Sequence, residues 1–306
     1  MGRDKPAMKL ILTILALSIG SGVGAADPTP QVSVVGKVRV QPDHRYPWYF
    51  ERFPFMAYKD TVFSAESEFL WPEGYHRPDS NSLSGYQSWV SYLPLWHRQR
   101  ELRSLYSGKI YNADQISRPI HFPRWRTQFS DKTIALELWA QYLVVQKRPF
   151  DFKVQPVSGK LLIYDDYLSG SLAFNGRDEV IYTPTPKRDS SYDEFSAFVE
   201  LCDRQSTYQT LAGNCDSVAV DKLLSGDMYI TWTGEGYKGR VVYLLTMAVD
   251  SPGHKLFTVG VGCPEECEFH IPLFNGDRNY PWISADQIPI LFPSQGNSGF
   301  YRPRIK

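Results

Sequence analysis

The sequence predicts a β-rich α+β fold, with antiparallel sheets in a sandwich-like arrangement and one principal helix near residues 191–204. Three observations predict it. Short apolar runs alternate with polar residues between Gly and Pro turns, which is strand patterning. Segment 191–204 shows a helical period behind a capping residue. The long aromatic and Pro-rich stretches suit ordered loops and carry no helical period.

The first 25 residues read as a secretory signal peptide. Arg3, Lys5 and Lys9 precede the apolar run Leu10–Ile19, and Val23 and Ala25 stand at signal-peptidase spacing. The stretch from Met8, MKLILTILALSIG, reads as a signal by itself. The run is about half a membrane-spanning helix, and Asp27-Pro28-Thr29-Pro30 would end any helix begun there. Residues 26–306 are then expected as one β-rich globular unit, divisible into subdomains of about 31–130 and 131–306. The expected location is periplasmic or secreted, with no transmembrane segment in the mature chain.

Residues 31–40 (QVSVVGKVRV) alternate as a first strand. Residues 41–96 hold 15 aromatic residues in 56 positions, well above the 14% of the whole chain, and suggest short strands and loops packed by their rings. HRQRELRSLY (97–106) suits a helical turn or two. The stretch around 134–144 places Ile134, Leu136, Leu138, Ala140, Tyr142 and Val144 on one alternating face, and is expected as a strand. KLLIYDDYL, SLAFNG and EVIYT follow as strands, with Asn175-Gly176 as a hairpin dipeptide. Over 191–204, Ser191 precedes Glu194 at capping-box spacing, and Tyr192, Phe195, Phe198, Val199 and Cys202 share one face. The runs DMYITWTG, GRVVYLLTMAV and HKLFTVGVG then form a meander turning at GEGYKG and Ser251-Pro252-Gly253.

Two segments echo one another: ADQISRPIHFP (113–123) and ADQIPILFP (285–293). A polar residue precedes each, and Gln115 and Gln287 stand three residues after it, a spacing that caps a helical turn. The prolines would then return the chain to extended backbone. The echo admits a duplicated module or coincidence.

Cys202, Cys215, Cys263 and Cys267 form an even set in an exported chain, which favours disulfides. Local pairing, Cys202–Cys215 and Cys263–Cys267, is the simplest of three connectivities. Cys263, Cys267 and His270 depart from zinc-ligand spacing, so neither metal nor cofactor is expected.

The standard catalytic signatures are missing after the leader: no G-x-S-x-G, no H-E-x-x-H, no P-loop and no G-x-G-x-x-G opening a helix. Asp165-Asp166 and Glu265-Glu266 are sequence neighbours, a poor spacing for the paired acids of a glycosidase. Thirty-three basic and 33 acidic residues balance, which gives no drive toward nucleic acid. The charge is nonetheless uneven. Residues 97–126 carry seven cations against Glu101 and Asp114, whereas 189–227 carry eight acids and two bases. Arg98, Arg100, Arg124, Trp125 and Arg126 are therefore the expected contact residues for an anionic partner. Pairing of the two segments with each other is the competing expectation. The functional reading is a non-enzymatic interaction protein of the inhibitor, immunity or assembly-factor type, with a protein or anionic envelope component as partner. The alternative is a secreted hydrolase of polysaccharide or lipid with dispersed catalytic residues.

Overall fold

The structure is a computed structural model. It describes residues 63–305, except 80–81, 97–100, 103–109, 111–115, 122–129, 158, 175–179, 183–185, 263–267 and 275. All of these lie in the compact unit Val32–Lys306. The leader, the strand expected over 31–40, most of 97–106, and the pair Cys263–Cys267 fall outside the described residues.

The fold is a β-rich α+β architecture. In chain order it begins with β1 (Phe63–Ser64), α1 (Ala65–Glu68), β2 (Tyr75–His76), α2 (Gly85–Ser91), β3 (Pro94–Leu95) and β4 (Ile116–Pro119). There follow α3 (Asp131–Val145), β5 (Lys153–Val154), β6 (Leu162–Ile163), α4 (Tyr164–Leu168), β7 (Ala173–Phe174) and β8 (Val180–Ile181). Next come α5 (Tyr192–Arg204), α6 (Tyr208–Gly213), β9 (Cys215–Ser217), β10 (Met228–Thr233), β11 (Lys238–Asp250) and β12 (Lys255–Val261). The last elements are β13 (His270–Pro272), β14 (Ile283–Ser284), α7 (Gln287–Leu291) and β15 (Asn297–Pro303).

One nine-stranded antiparallel sheet organises the unit, in the order β4-β13-β12-β11-β10-β15-β9, with β14 paired to β12 and β2 to β11. The expected meander forms its centre. β10 and β11 pair from Met228↔Tyr243 to Thr233↔Lys238. The hairpin between them turns through Gly234 and Gly236, at φ +53° and +85°, a backbone that L side chains resist. β11 and β12 meet across Ser251-Pro252-Gly253. One face of the sheet buries Val241, Tyr243, Leu245 and Phe269 with α3, α5 and α6. The other buries Val242, Leu244, Val259 and Val261 with Ile288, Phe292 and Phe300.

The expected helix over 191–204 is α5. Ser191 Oγ accepts from Glu194 N. The Glu194 side chain makes no reciprocal cap; it accepts from the Tyr167 hydroxyl at 3.0 Å. Three other expectations are corrected. The stretch 134–144 is not a strand: it lies inside the fifteen-residue α3, which makes two principal helices. Ile134, Ala135, Leu136, Leu138, Trp139, Ala140 and Leu143 are all buried. A helix buried all round carries no apolar stripe, so alternation fits it as well as a helical period does. The reciprocal Ser130–Thr133 capping box starts it. The aromatic stretch likewise contains a helix, α2, started by a Ser84–Gln87 capping box. In KLLIYDDYL only Leu162–Ile163 is strand, and YDDYL turns into α4. The strands expected in SLAFNG and EVIYT pair as Ala173↔Ile181 and Phe174↔Val180.

Cys202 and Cys215 carry no disulfide; both are buried thiols. Cys215 opens β9 with Sγ donating to Leu211 O at 3.2 Å, so it is turned back onto α6. The two echo segments also part company. ISRP of the first is strand β4, whereas QIPIL of the second is α7. Gln287 Oε1 accepts from Ser284 N at 2.9 Å, but Asp286 is the N-cap of α7 and no side chain caps the helix; Pro289 sits within α7 and does not restore extended backbone.

Candidate functional site

Among the described residues, an acid, an arginine and a histidine come together at the end of the sheet where the β10–β11 hairpin, the close of β12 and the start of β13 meet α3 and α7. Ser130 caps α3, which places Asp131 at its first position and 4% exposed. Asp131 Oδ1 lies against Gly262, where any Cβ would collide with it, so the glycine makes room for the carboxylate. Burial pushes the Asp131 carboxyl up to about 6; Arg240 and the backbone amides of Val241 and Gly262 oppose this without cancelling it.

Arg240 stands opposite Thr231 near the start of β11. Its Nε is 3.8 Å from Asp131 Oδ2, an ion contact too long for a hydrogen bond. Its guanidinium lies 5.6 Å from the centre of the Phe292 ring, a cation–π distance. The side chain is 32% exposed, and no hydrogen bond from it is made among the described residues. His270 opens β13 behind it, with Nδ1 2.9 Å from Glu268 O. Burial lowers the His270 pKa to about 4; the Glu268 carbonyl opposes this and the Arg240 charge adds to it, so the imidazole is neutral at pH 7. Among the described residues, the elements that meet here also carry exposed apolar side chains. Ile290 and Leu291 of α7 are 75% and 44% exposed, and Tyr237 of the hairpin is 67% exposed.

The corner therefore combines a partly exposed cation over an aromatic ring, a buried acid raised to about 6, and exposed apolar side chains. Such a site can hydrogen-bond an anionic group through Arg240 while a partner covers α7. Among the described residues no group of three or more His, Cys, Asp or Glu is placed to hold a metal ion. No helix among them is long and apolar enough to cross a membrane.

The expected contact residues Arg98, Arg100, Arg124, Trp125 and Arg126 all lie outside the described residues. Of the cations in their segment, Arg118 is described. It is buried on β4 and paired with the buried Glu68 of α1. Of the eight acids of 189–227, five pair with described cations: Asp203 with Lys132, Glu194 with Arg188, Glu200 with Arg204, Asp216 with Arg304, and Asp227 with Arg302. Sequence reasoning missed Asp131 and Arg240. The available signals were Ser130-Asp131 ahead of an apolar run, which marks a helix start, and Arg240 as a lone charge opening the apolar stretch VVYLLTMAV.

Residues 65–294, about three quarters of the chain, match the family described as a domain of unknown function (4846), and the chain belongs to that family. The matched stretch contains Asp131, Arg240, His270 and Phe292. Neither the curated proteins nor the solved structures contain a match to this chain.

Proposed function

We propose that the protein is an exported, non-enzymatic interaction protein that binds an anionic protein or envelope component, with Arg240 at the centre of its contact surface. The observation that carries this reading is the Arg240 guanidinium. It is one-third exposed, held over Phe292, and only loosely paired with Asp131. A structural arginine beside a buried acid is normally held by short hydrogen bonds, as Arg302 is. Ile290, Leu291 and Tyr237 supply apolar area of the kind that interface centres use. Arg98, Arg100, Arg124, Trp125 and Arg126 are proposed to add positive charge to the same function.

The test places a photo-crosslinking residue at position 290 and irradiates the protein with an envelope fraction. The expected result is a discrete adduct that weakens as salt rises and disappears in Arg240→Gln. An adduct of equal yield in Arg240→Gln would overturn the reading.

One observation favours a second reading, a secreted hydrolase of polysaccharide or lipid. A carboxyl held at about 6 lies in the range of a general acid or base. Turnover of a polysaccharide or lipid panel that is lost in Asp131→Asn would select this reading over the first.

A further inference from the structure

In the Asp131–Arg240 pair the acid is sealed and the cation is not. Asp131 is 4% exposed, and its Oδ1 has no hydrogen-bond partner among the described residues. The Arg240 side chain is 32% exposed and meets Asp131 through the 3.8 Å ion contact from Nε to Oδ2. The guanidinium has a support of its own in the Phe292 ring, 5.6 Å away. No short hydrogen bond ties the two side chains together. Neutralising the acid therefore changes the field at Arg240 without dismantling a bonded pair.

The elements packed around the pair contribute other titratable groups, and each holds its charge near neutral pH. From α6, Tyr208 faces Asp131 and Ser130, and its ring packs on Gly239, the residue before Arg240. Burial raises its hydroxyl far above neutrality, so it stays protonated. From α5, Asp203 pairs with Lys132. From β13, His270 lies beside Arg240 and stays neutral until pH falls toward about 4. Gly262, at the end of β12, brings backbone alone. Among the described residues, Asp131 is thus the group facing Arg240 that changes charge between pH 5 and 7.5, because burial lifts its carboxyl to about 6.

We propose that Asp131 is a proton-controlled competitor for Arg240: once protonated it leaves the guanidinium to an anionic partner, and once ionised it competes with that partner. This rests on the reading of Arg240 as the contact cation and adds the regulation of that site. The partner need not touch the buried carboxyl, since charge acts through space over several ångströms. Anion affinity rises as pH falls through the Asp131 titration, by about tenfold, the scale of repulsion between unit charges roughly 7 Å apart at a partly solvated site. Linkage is reciprocal, so a bound anion raises the proton affinity of Asp131 by the same factor.

The test is titration of the full protein with 1-hexanesulfonate at low salt, read from the Arg240 Nε–Hε resonance at pH 5 and pH 7.5. The sulfonate keeps its charge over this range, and its chain can lie on Ile290 and Leu291, which are exposed. The expected result is about tenfold tighter binding at pH 5. Asp131→Asn should bind equally at both pH values, and as tightly as the natural protein does at pH 5. A second measurement needs no variant: the Asp131 carboxyl-carbon titration of the natural protein should show about tenfold higher proton affinity with sulfonate bound. No binding at either pH, or undiminished binding in Arg240→Gln, would overturn the reading of Arg240 and this regulation with it. Arg240-dependent binding that is equal at both pH values, a pH dependence that persists in Asp131→Asn, or an Asp131 titration unmoved by sulfonate would overturn the regulation alone.

Discussion

Asp227–Arg302 and Asp131–Arg240 are both acid–arginine pairs at the margin of one sheet, and they are built in opposite ways. Asp227 is fully buried and takes Arg302 in a two-pronged contact, Nε to Oδ1 and Nη2 to Oδ2, each at 2.7 Å. Its Oδ2 also accepts from Leu224 N at 2.8 Å, and Arg302 Nη2 donates onward to Lys222 O at 2.9 Å. Asp131 is nearly as buried, yet its arginine stands 3.8 Å off with its guanidinium turned over an aromatic ring. The arginines are about equally exposed, at 34% and 32%, so access to water does not separate them. Geometry does. The first pair closes a turn onto β15 and leaves little for a partner to use. The second keeps its cation available. Burial raises both carboxyls, Asp227 as well as Asp131, and neither arginine fully offsets it, so the contrast is one of hydrogen-bond geometry.

The largest effect expected from this contrast is at the closed pair. Arg302→Ala strands a buried carboxylate and should lower stability by about 3 kcal/mol in urea unfolding at pH 7. A loss under about 1 kcal/mol would erase the distinction.

Next comes Asp131. A carboxyl with a folded-state pKa above its unfolded value stabilises the fold below the unfolded pKa. That contribution is lost as pH rises through the folded pKa, here between about 4 and 6. Asp131→Asn should therefore be more stable than the natural protein by about 3 kcal/mol at pH 7, with the gap closing near pH 4. His270 works in the other direction. Its pKa is depressed, so its contribution is present above the unfolded value and lost as pH falls toward 4. The pH profile of the natural protein mixes both groups. The difference between it and Asp131→Asn isolates the acid, and a gap that widened toward pH 4 would reverse the assignment.

A smaller effect concerns the helix that presents Asp131. Ser130→Ala removes a cap at the N-terminus of α3 and should cost about 1 kcal/mol. Ser191→Ala should cost about the same at α5, where the cap is one-sided. Only the first should also move the Asp131 titration. The smallest effect is at Arg240 itself. Arg240→Gln loses a long ion contact and a cation–π contact and should change stability by less than about 1 kcal/mol. It should raise the Asp131 pKa further, which a carboxyl-carbon NMR titration would read.

The same contrast shows which parts of the molecule were legible in the sequence. The meander was, because β10, β11 and β12 each combine strand composition with glycine turns at Gly234, Gly236 and Gly253. Helix α5 was, because it lies at the surface and Ser191, Phe195, Phe198 and Val199 carry its cap and stripe. Helix α3 was not. Burial on every side removed its period, and the deciding Ser130–Thr133 cap is a two-residue signal beside an apolar run that also alternates. Cys202 and Cys215 had the right spacing for a bridge, but spacing does not report that Cys215 turns toward Leu211. The functional corner was illegible for a similar reason. Asp131 and Arg240 lie more than a hundred residues apart, and the sheet register that joins β11 to β12 and β13 brings them together.

Arginine side-chain NMR separates an Arg240 open to an anion from an Arg302 that is not. The Nε–Hε resonances of both residues would be followed during titration with hexaglutamate at low salt. The expected result is a saturable shift at Arg240 that collapses as salt is added, with Arg302 unmoved. A shift at Arg302 alone, equal shifts at both, or no shift at either would contradict it.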